Sequence, residues 1–149
     1  MNRASKRNKN HDIYWITGQS GAGKTTLAHA LRKKIGGVVL DGDEMRESIS
    51  FGAGFSKKHR INHNLRVAML ASVLSRQLPV IVSVIAPFES TRKKIDDMIK
   101  PVWIYVASDF PRDPNKPYEI PKRPHITLTS DASTLRERLE IVINYIKRD

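Results

Sequence analysis

Residues Gly18-Gln-Ser-Gly-Ala-Gly-Lys-Thr25 fit the phosphate-binding pattern G-x-x-x-x-G-K-[ST] and follow directly on an apolar run, Ile13-Tyr-Trp-Ile-Thr17. A strand, a glycine-rich turn and a helix in that order commit the chain to a βα unit whose loop curls backbone N–H groups around one anion. The segment after the loop is amphipathic, with Leu27, Ala28 and Leu31 on one face and Arg32, Lys33 and Lys34 on another. The match therefore has the flanks that distinguish a nucleotide loop from a chance glycine turn. Gly18, Ser20, Gly21, Ala22, Gly23, Lys24, Thr25 and Thr26 are the expected nucleoside-triphosphate contacts, with Lys24 at the β- and γ-phosphates and the Thr25 hydroxyl on Mg²⁺.

The rest of the chain repeats the alternation. Gly36 to Leu40 reads as a second strand, Glu44 to Ser50 as a short helix and Phe51 to Phe55 as a glycine-broken loop. Lys57 to Gln77 reads as a long helix with Leu65, Ala68, Met69, Ala71 and Leu74 spaced for burial. Pro79-Val-Ile-Val-Ser-Val-Ile85 is a nearly continuous β-branched run, as a parallel strand buried on both faces requires. Ser90 to Ile99 is helical, Val102 to Val106 and His125 to Thr129 are strands, and Ser130 or Asp131 is placed to cap a last helix packing through Leu135, Leu139, Val142 and Ile146. The predicted fold is α/β: a three-layer P-loop NTPase fold with a central parallel sheet and helices on both faces.

Length and charge narrow the class. A chain of 149 residues holds one domain, assigned to residues 12–149 after a polar, basic tail, 1–11, with Arg3, Lys6, Arg7 and Lys9, that is expected to be disordered. With no cysteine, disulfides and thiolate metal sites are excluded. No secretory or membrane-length apolar segment is present, so a soluble, cytoplasmic protein is expected. The 26 Lys and Arg against 15 Asp and Glu, net +11, invite a nucleic-acid reading. Their distribution disfavours it: Lys57, Lys58 and Arg60, and Arg92, Lys93 and Lys94, read as solvated helix faces without an aromatic stacking platform. His59 and His63 share a helix face but lack a third ligand, so the histidines read as surface or packing residues.

In such sheets ligands bind outside the carboxyl ends of the strands. Asp41 and Asp43 follow the second strand there, beside the phosphate loop. Either carboxylate can hold Mg²⁺ through water or take the proton from an attacking hydroxyl. With no rival carboxylate after the third strand, where Ile85 runs into Ala86-Pro87-Phe88, Asp43 is the catalytic candidate, and Thr25 and Asp41 are the candidate metal ligands. The alternative is a turn aspartate and a helix N-cap. Arg46 lies one helical turn beyond Asp43, and Arg60 and Asn64 are four apart on one helix face.

In combination, W-I-T-G-Q-S-G-A-G-K-T-T at Trp15 to Thr26, L-D-G-D-E-M-R at Leu40 to Arg46, G-F-S-x-x-x-R-x-x-x-N-x-R at Gly54 to Arg66 and V-S-V-I-A-P-F at Val82 to Phe88 resemble the adenylylsulfate kinase family, which phosphorylates the 3′-hydroxyl of adenosine 5′-phosphosulfate with MgATP. The resemblance implies ATP and Mg²⁺ as cofactors, a small nucleotide substrate and a homodimer. By it, Asp43 is the catalytic carboxylate, acting with Lys24 and Arg46. Arg46, Arg60 and Asn64 hold the acceptor's anion and ribose, Phe55 stacks on its base, and Ile85, Ala86 and Pro87 line its pocket.

The chain departs from the family between Val106 and Pro117. Only Ala107 to Lys116 stands where the family carries a longer basic lid, with Phe110 and Arg112 as partial substitutes. Ala86 replaces a serine, and Glu89 a basic residue. A shortened lid leaves two alternatives open: the same chemistry on another nucleotide, such as a cytidine diphosphoramidate, or a protein that binds nucleotide without turnover. A GTPase is disfavoured because Asn115-Lys116 runs into Pro117-Tyr118 without the guanine-reading aspartate.

Overall fold

The structure, a computed structural model, describes residues 10–111, 113–131 and 133–148. Arg3, Lys6, Arg7 and Lys9 of the expected tail, and Arg112, lie outside the described residues. Backbone pairing is in place by His11, whose N–H donates to the Ser75 carbonyl at 2.6 Å.

The elements run β1 (Ile13–Thr17), α1 (Lys24–Ile35), β2 (Val38–Asp41), α2 (Gly42–Glu47), α3 (Lys57–Leu74), β3 (Val80–Ser83), α4 (Glu89–Ile99), β4 (Val102–Ala107), β5 (Ile126–Thr129) and α5 (Leu135–Arg148). The five strands form one parallel sheet in the order β2-β3-β1-β4-β5. Successive side chains of a strand face opposite layers, so β1 serves two cores. Ile13 and Trp15 pack with Val67, Ala68 and Ala71 of α3 and Ile95 of α4. Tyr14 and Ile16 pack with Leu27, Ala28 and Leu31 of α1 and Val142 of α5. β3 is buried at all four positions, the environment its β-branched run predicts.

Trp15 and Trp103 lie opposite each other in the β1–β4 register, their rings 5.5 Å apart and tilted by 38°. Each indole N–H has a partner: Trp15 donates to the Val84 carbonyl at 3.1 Å and Trp103 to Asp96 Oδ1 at 3.0 Å. Two buried aromatic rings thus cost no unmet donor.

Several details differ from the sequence reading: the short helix runs Gly42–Glu47 rather than Glu44 to Ser50, and the strand within the Pro79 to Ile85 run is Val80–Ser83. β2 starts at Val38, because Gly36 and Gly37 take φ of 77° and 95° and form the turn before it. A Cβ on Gly37 would lie 2.2 Å from the Pro79 carbonyl oxygen, so that turn admits only glycine. α3 ends at Leu74 rather than Gln77, and its Met69 is 54% exposed, since the buried stripe runs through His63, Asn64, Val67, Ala68 and Ala71. The cap of α5 is Thr134: its hydroxyl accepts from the Glu137 N–H at 3.1 Å while the Glu137 carboxylate accepts from the Thr134 N–H at 2.8 Å. That is a reciprocal capping box. Ser130 and Asp131 instead bond the Ala107 carbonyl and the Asp109 N–H.

Candidate active site

At the carboxyl end of β1 the chain turns through the glycine loop into α1. Gly23 caps that helix with φ 93°, a left-handed conformation that β-carbon-bearing residues resist. Gly18 sits so close to β4 that a Cβ would come within 2.6 Å of the Val106 carbonyl oxygen. The loop is therefore built of glycine for reach as well as for curvature.

Lys24 Nζ donates to the Gln19 carbonyl at 2.8 Å, across the loop's own concave side. Burial lowers its ammonium from 10.5 to about 8, against the opposing pull of Asp41 and Asp43. The Thr25 hydroxyl donates to Asp41 Oδ1 at 2.8 Å and lies 3.3 Å from Ser83 Oγ. Asp41 also caps α2, accepting from the Glu44 N–H at 3.4 Å. The N-cap alternative for Asp41 thus holds together with its position beside Thr25, because its two oxygens are used separately. Thr26 is exposed and lies outside the cavities, while Gly18, Ala22 and Gly23 shape the loop from beneath.

A cavity of about 180 Å³ opens over this loop. Ser20, Gly21, Lys24, Thr25, Asp41, Asp43, Arg46, Arg60, Asn64, Ile85, Ala86 and Pro87 all line it. Four separate stretches of sequence, 20–25, 41–46, 60–64 and 83–87, converge here. It is continuous, through Asp43, Arg46, Arg60 and Ile85, with a wider cleft of about 650 Å³ that adds Phe55, Phe110 and Tyr118.

Phe55 is 67% exposed at the cleft rather than anchored in the core. The Arg46 and Arg60 guanidiniums lie 4.5 and 5.5 Å from its ring centroid. Arg46 Nη1 donates to the Gly54 carbonyl at 3.2 Å, and burial, with Arg60 nearby, lowers its pKa while Asp43 opposes. Arg60 donates to two main-chain oxygens, Phe55 at 2.7 Å and Asn115 at 3.1 Å, so it ties the short segment after β4 to α3. That segment turns at Asp113 to Lys116 and lays Phe110 against Gly21, where an added Cβ would meet the ring at 3.3 Å.

Four site-forming groups escaped the sequence reading. Arg92, expected on a solvated face, is 3% exposed and holds the wall of the cavity by bonding the Ala86 carbonyl. Its spacing to Ile95 and Ile99 along α4 marks the buried face and was the available signal. Tyr118 and Thr17 are buried with their hydroxyls 2.9 Å apart, and Thr17 donates in turn to the Ile85 carbonyl. Burial raises the Tyr118 pKa, so it stays a neutral phenol. His63 also lines the cavity, its Nδ1 2.7 Å from Ser50 Oγ, and burial together with Arg46 and Arg66 lowers it to about 4. No single-sequence pattern marks these three.

Comparison with known proteins bears on the same residues. The family model for adenylylsulphate kinase matches residues 10–116. An adenylyl-sulfate kinase of Deinococcus deserti is 31% identical over 163 residues, covering 90% of each chain. A probable adenylyl-sulfate kinase of Pyrococcus abyssi is 34% identical, covering 89% of this chain and 93% of that one. Among solved structures, a mutant of the Mycobacterium tuberculosis APS kinase superposes with TM-score 0.75 at 28% identity, covering 93% of this chain and 98% of that one. The shikimate kinase of Aquifex aeolicus, 10% identical, superposes with TM-score 0.62 over 91% of this chain and 96% of that one, and so shares the fold. With a phosphate loop, a strand-end carboxylate and two arginines at one cavity, and with relatives that match it along nearly its whole length, the chain belongs to the adenylylsulphate kinase family.

Proposed function

We propose that the protein transfers the γ-phosphoryl group of ATP to the 3′-hydroxyl of adenosine 5′-phosphosulfate, giving the 3′-phosphorylated product and ADP. The observation that carries this reading is the convergence of Lys24, Asp43, Arg46, Arg60 and Asn64 on one cavity. The names of the relatives identify the acceptor, and a Mycobacterium tuberculosis APS kinase solved with AMPPNP and APS has the same fold, at TM-score 0.80.

Phosphoryl transfer asks little covalent work of a protein and much placement of charge. The acceptor hydroxyl oxygen attacks the γ-phosphorus, its proton passes to the Asp43 carboxylate, and the bond to the β–γ bridging oxygen breaks to release ADP. Lys24 and Arg46 sit on the side where negative charge builds. Arg60 and Asn64 grip the acceptor's anion and ribose, and Phe55 offers its exposed face to the base. Thr25 and Asp41 present hard oxygen donors side by side, a set suited to Mg²⁺, which binds few protein ligands and keeps several waters. When bound, the ion supplies charge neutralisation at the β- and γ-phosphates. A homodimer is the assembly we expect from the resemblance.

The test is ADP production from MgATP with adenosine 5′-phosphosulfate, beside cytidine and uridine diphosphate derivatives, with Lys24→Ala as the blank. Turnover confined to the sulfated nucleotide supports the reading. Turnover on another acceptor alone, or silence on all of them while ATP binds, overturns it.

A further inference from the structure

Ala86 is the one cavity-lining residue among those described that holds a left-handed backbone without being glycine, at φ 47°. It also precedes Pro87, a position that steric clash drives toward extended conformations. Such a conformation is strained and persists only where its surroundings impose it. The surroundings here centre on one side chain.

Arg92, buried in the first turns of α4, donates Nη1 to the Ala86 carbonyl at 2.6 Å. Its Nη2 donates to the Glu119 carbonyl at 2.5 Å and to Glu89 Oε2 at 3.2 Å, and its guanidinium carbon lies 5.4 Å from the Tyr118 ring centroid. The same two stretches are laced by two more bonds, one backbone and one to a side chain: the Glu119 N–H donates to the Pro87 carbonyl and the Glu89 N–H to Glu119 Oε1, both at 2.8 Å. Arg92 Nε is buried with no hydrogen-bond partner among the described residues. A buried guanidinium with one donor unmet carries a desolvation cost that an apolar side chain does not. Its fork reaches what an apolar side chain cannot: two carbonyls on two different segments.

We propose that Arg92 is a positioning residue that holds the Ile85-Ala86-Pro87 wall of the acceptor pocket and the base of the covering segment, Tyr118 and Glu119, as one unit. The proposal rests on the reading of this cavity as the acceptor site. It assigns to the guanidinium fork, and not to its charge alone, the left-handed turn at Ala86 and hence the depth of the pocket opposite Asp43.

The experiment compares wild type, Arg92→Lys and Arg92→Lys/Ala86→Gly. Lysine keeps the charge but spans only one of the two carbonyls. Arg92→Lys is expected to raise the acceptor KM about 10- to 100-fold, as misplaced binding groups do, with the MgATP Kd unchanged within about twofold. Ala86→Gly in that background is expected to recover part of the loss, because glycine reaches φ 47° unaided. A residue needed only for folding gives no such rescue. Amide hydrogen exchange supplies a readout independent of turnover: faster exchange confined to residues 84–88 and 117–119 supports the proposal. An unchanged acceptor KM, a parallel rise in the ATP Kd with exchange accelerated throughout, or no recovery in the double variant overturns it. If wild type does not phosphorylate adenosine 5′-phosphosulfate, the functional reading fails and the exchange pattern alone decides the role of Arg92.

Discussion

Asp43 and Lys24 bear the sharpest residue-scale consequences. Asp43→Asn keeps the shape of the cavity but removes the proposed proton acceptor, so kcat is expected to fall about 10²- to 10⁴-fold with ATP affinity retained. A kcat near wild type would remove Asp43 from the chemistry. Lys24 titrates near 8 because burial disfavours its charge. Bound phosphates favour the ammonium, so the nucleotide complex holds its proton to higher pH than the free protein does. MgATP affinity is therefore expected to be flat below about pH 8 and to decline above it, by up to about tenfold per pH unit. Calorimetric Kd values from pH 7 to 9.5 check this, and Lys24→Ala should show weak binding with no such slope. His63 acts in the opposite range and on stability. Its folded pKa of about 4 lies below the ordinary 6.5, so its contribution is complete above pH 6.5 and is lost as pH falls toward 4. Urea midpoints measured across that window should fall with acid less steeply in His63→Asn than in wild type.

Among the elements, α5 depends on its first turn. Thr134 and Glu137 satisfy each other's N–H groups, and removing one side-chain partner at such a cap costs about 1 kcal/mol. Thr134→Ala is expected to lower the urea midpoint accordingly while leaving kcat unchanged, since α5 packs on the face of the sheet through Val142 and does not line the site. A loss of turnover at full stability would show that α5 communicates with the cavity. The elements were largely legible in sequence where one rule governs: the glycine loop, the amphipathic α1 and the β-branched β3. Their ends were less so. Pairs such as Ser130 and Asp131 advertise caps as well as Thr134 does, and only the path of the chain after β5 selects among them. Gly36 and Gly37 read as strand because their neighbours are apolar, whereas the close approach of Pro79 is a tertiary fact.

For the whole molecule, the convergence was legible because the phosphate loop, Asp41 and Asp43, and Ile85 to Pro87 follow the carboxyl ends of β1, β2 and β3, and every predicted site residue except Thr26, Gly18, Ala22 and Gly23 lines the cavities that open there. The supporting shell was not. Arg92, Tyr118 and Thr17 act through each other and through backbone carbonyls, and such contacts leave no periodic trace. Charge misled in one place: a basic run on a helix usually faces water, yet Arg92 alone of its run turns inward. Nucleotide binding should also be felt globally. MgATP at about 100 times its Kd adds about 2.7 kcal/mol to stability by mass action. A rise in Tm with MgATP that vanishes in Lys24→Ala is expected from differential scanning calorimetry, and none of the described helices is long and apolar enough to cross a membrane and so complicate it.

The tryptophan pair gives the molecule a built-in optical channel. Trp15 and Trp103 are the chain's two tryptophans, and both lie buried on neighbouring strands of the sheet, away from the cleft. Tryptophan emission therefore follows the integrity of the sheet rather than movement of Phe110 and its neighbours over the cleft. A third tryptophan placed at Phe110, beside the phosphate loop, would add a signal for covering of the site that separates cleanly from unfolding, so closure and stability can be read from one sample by two emission changes.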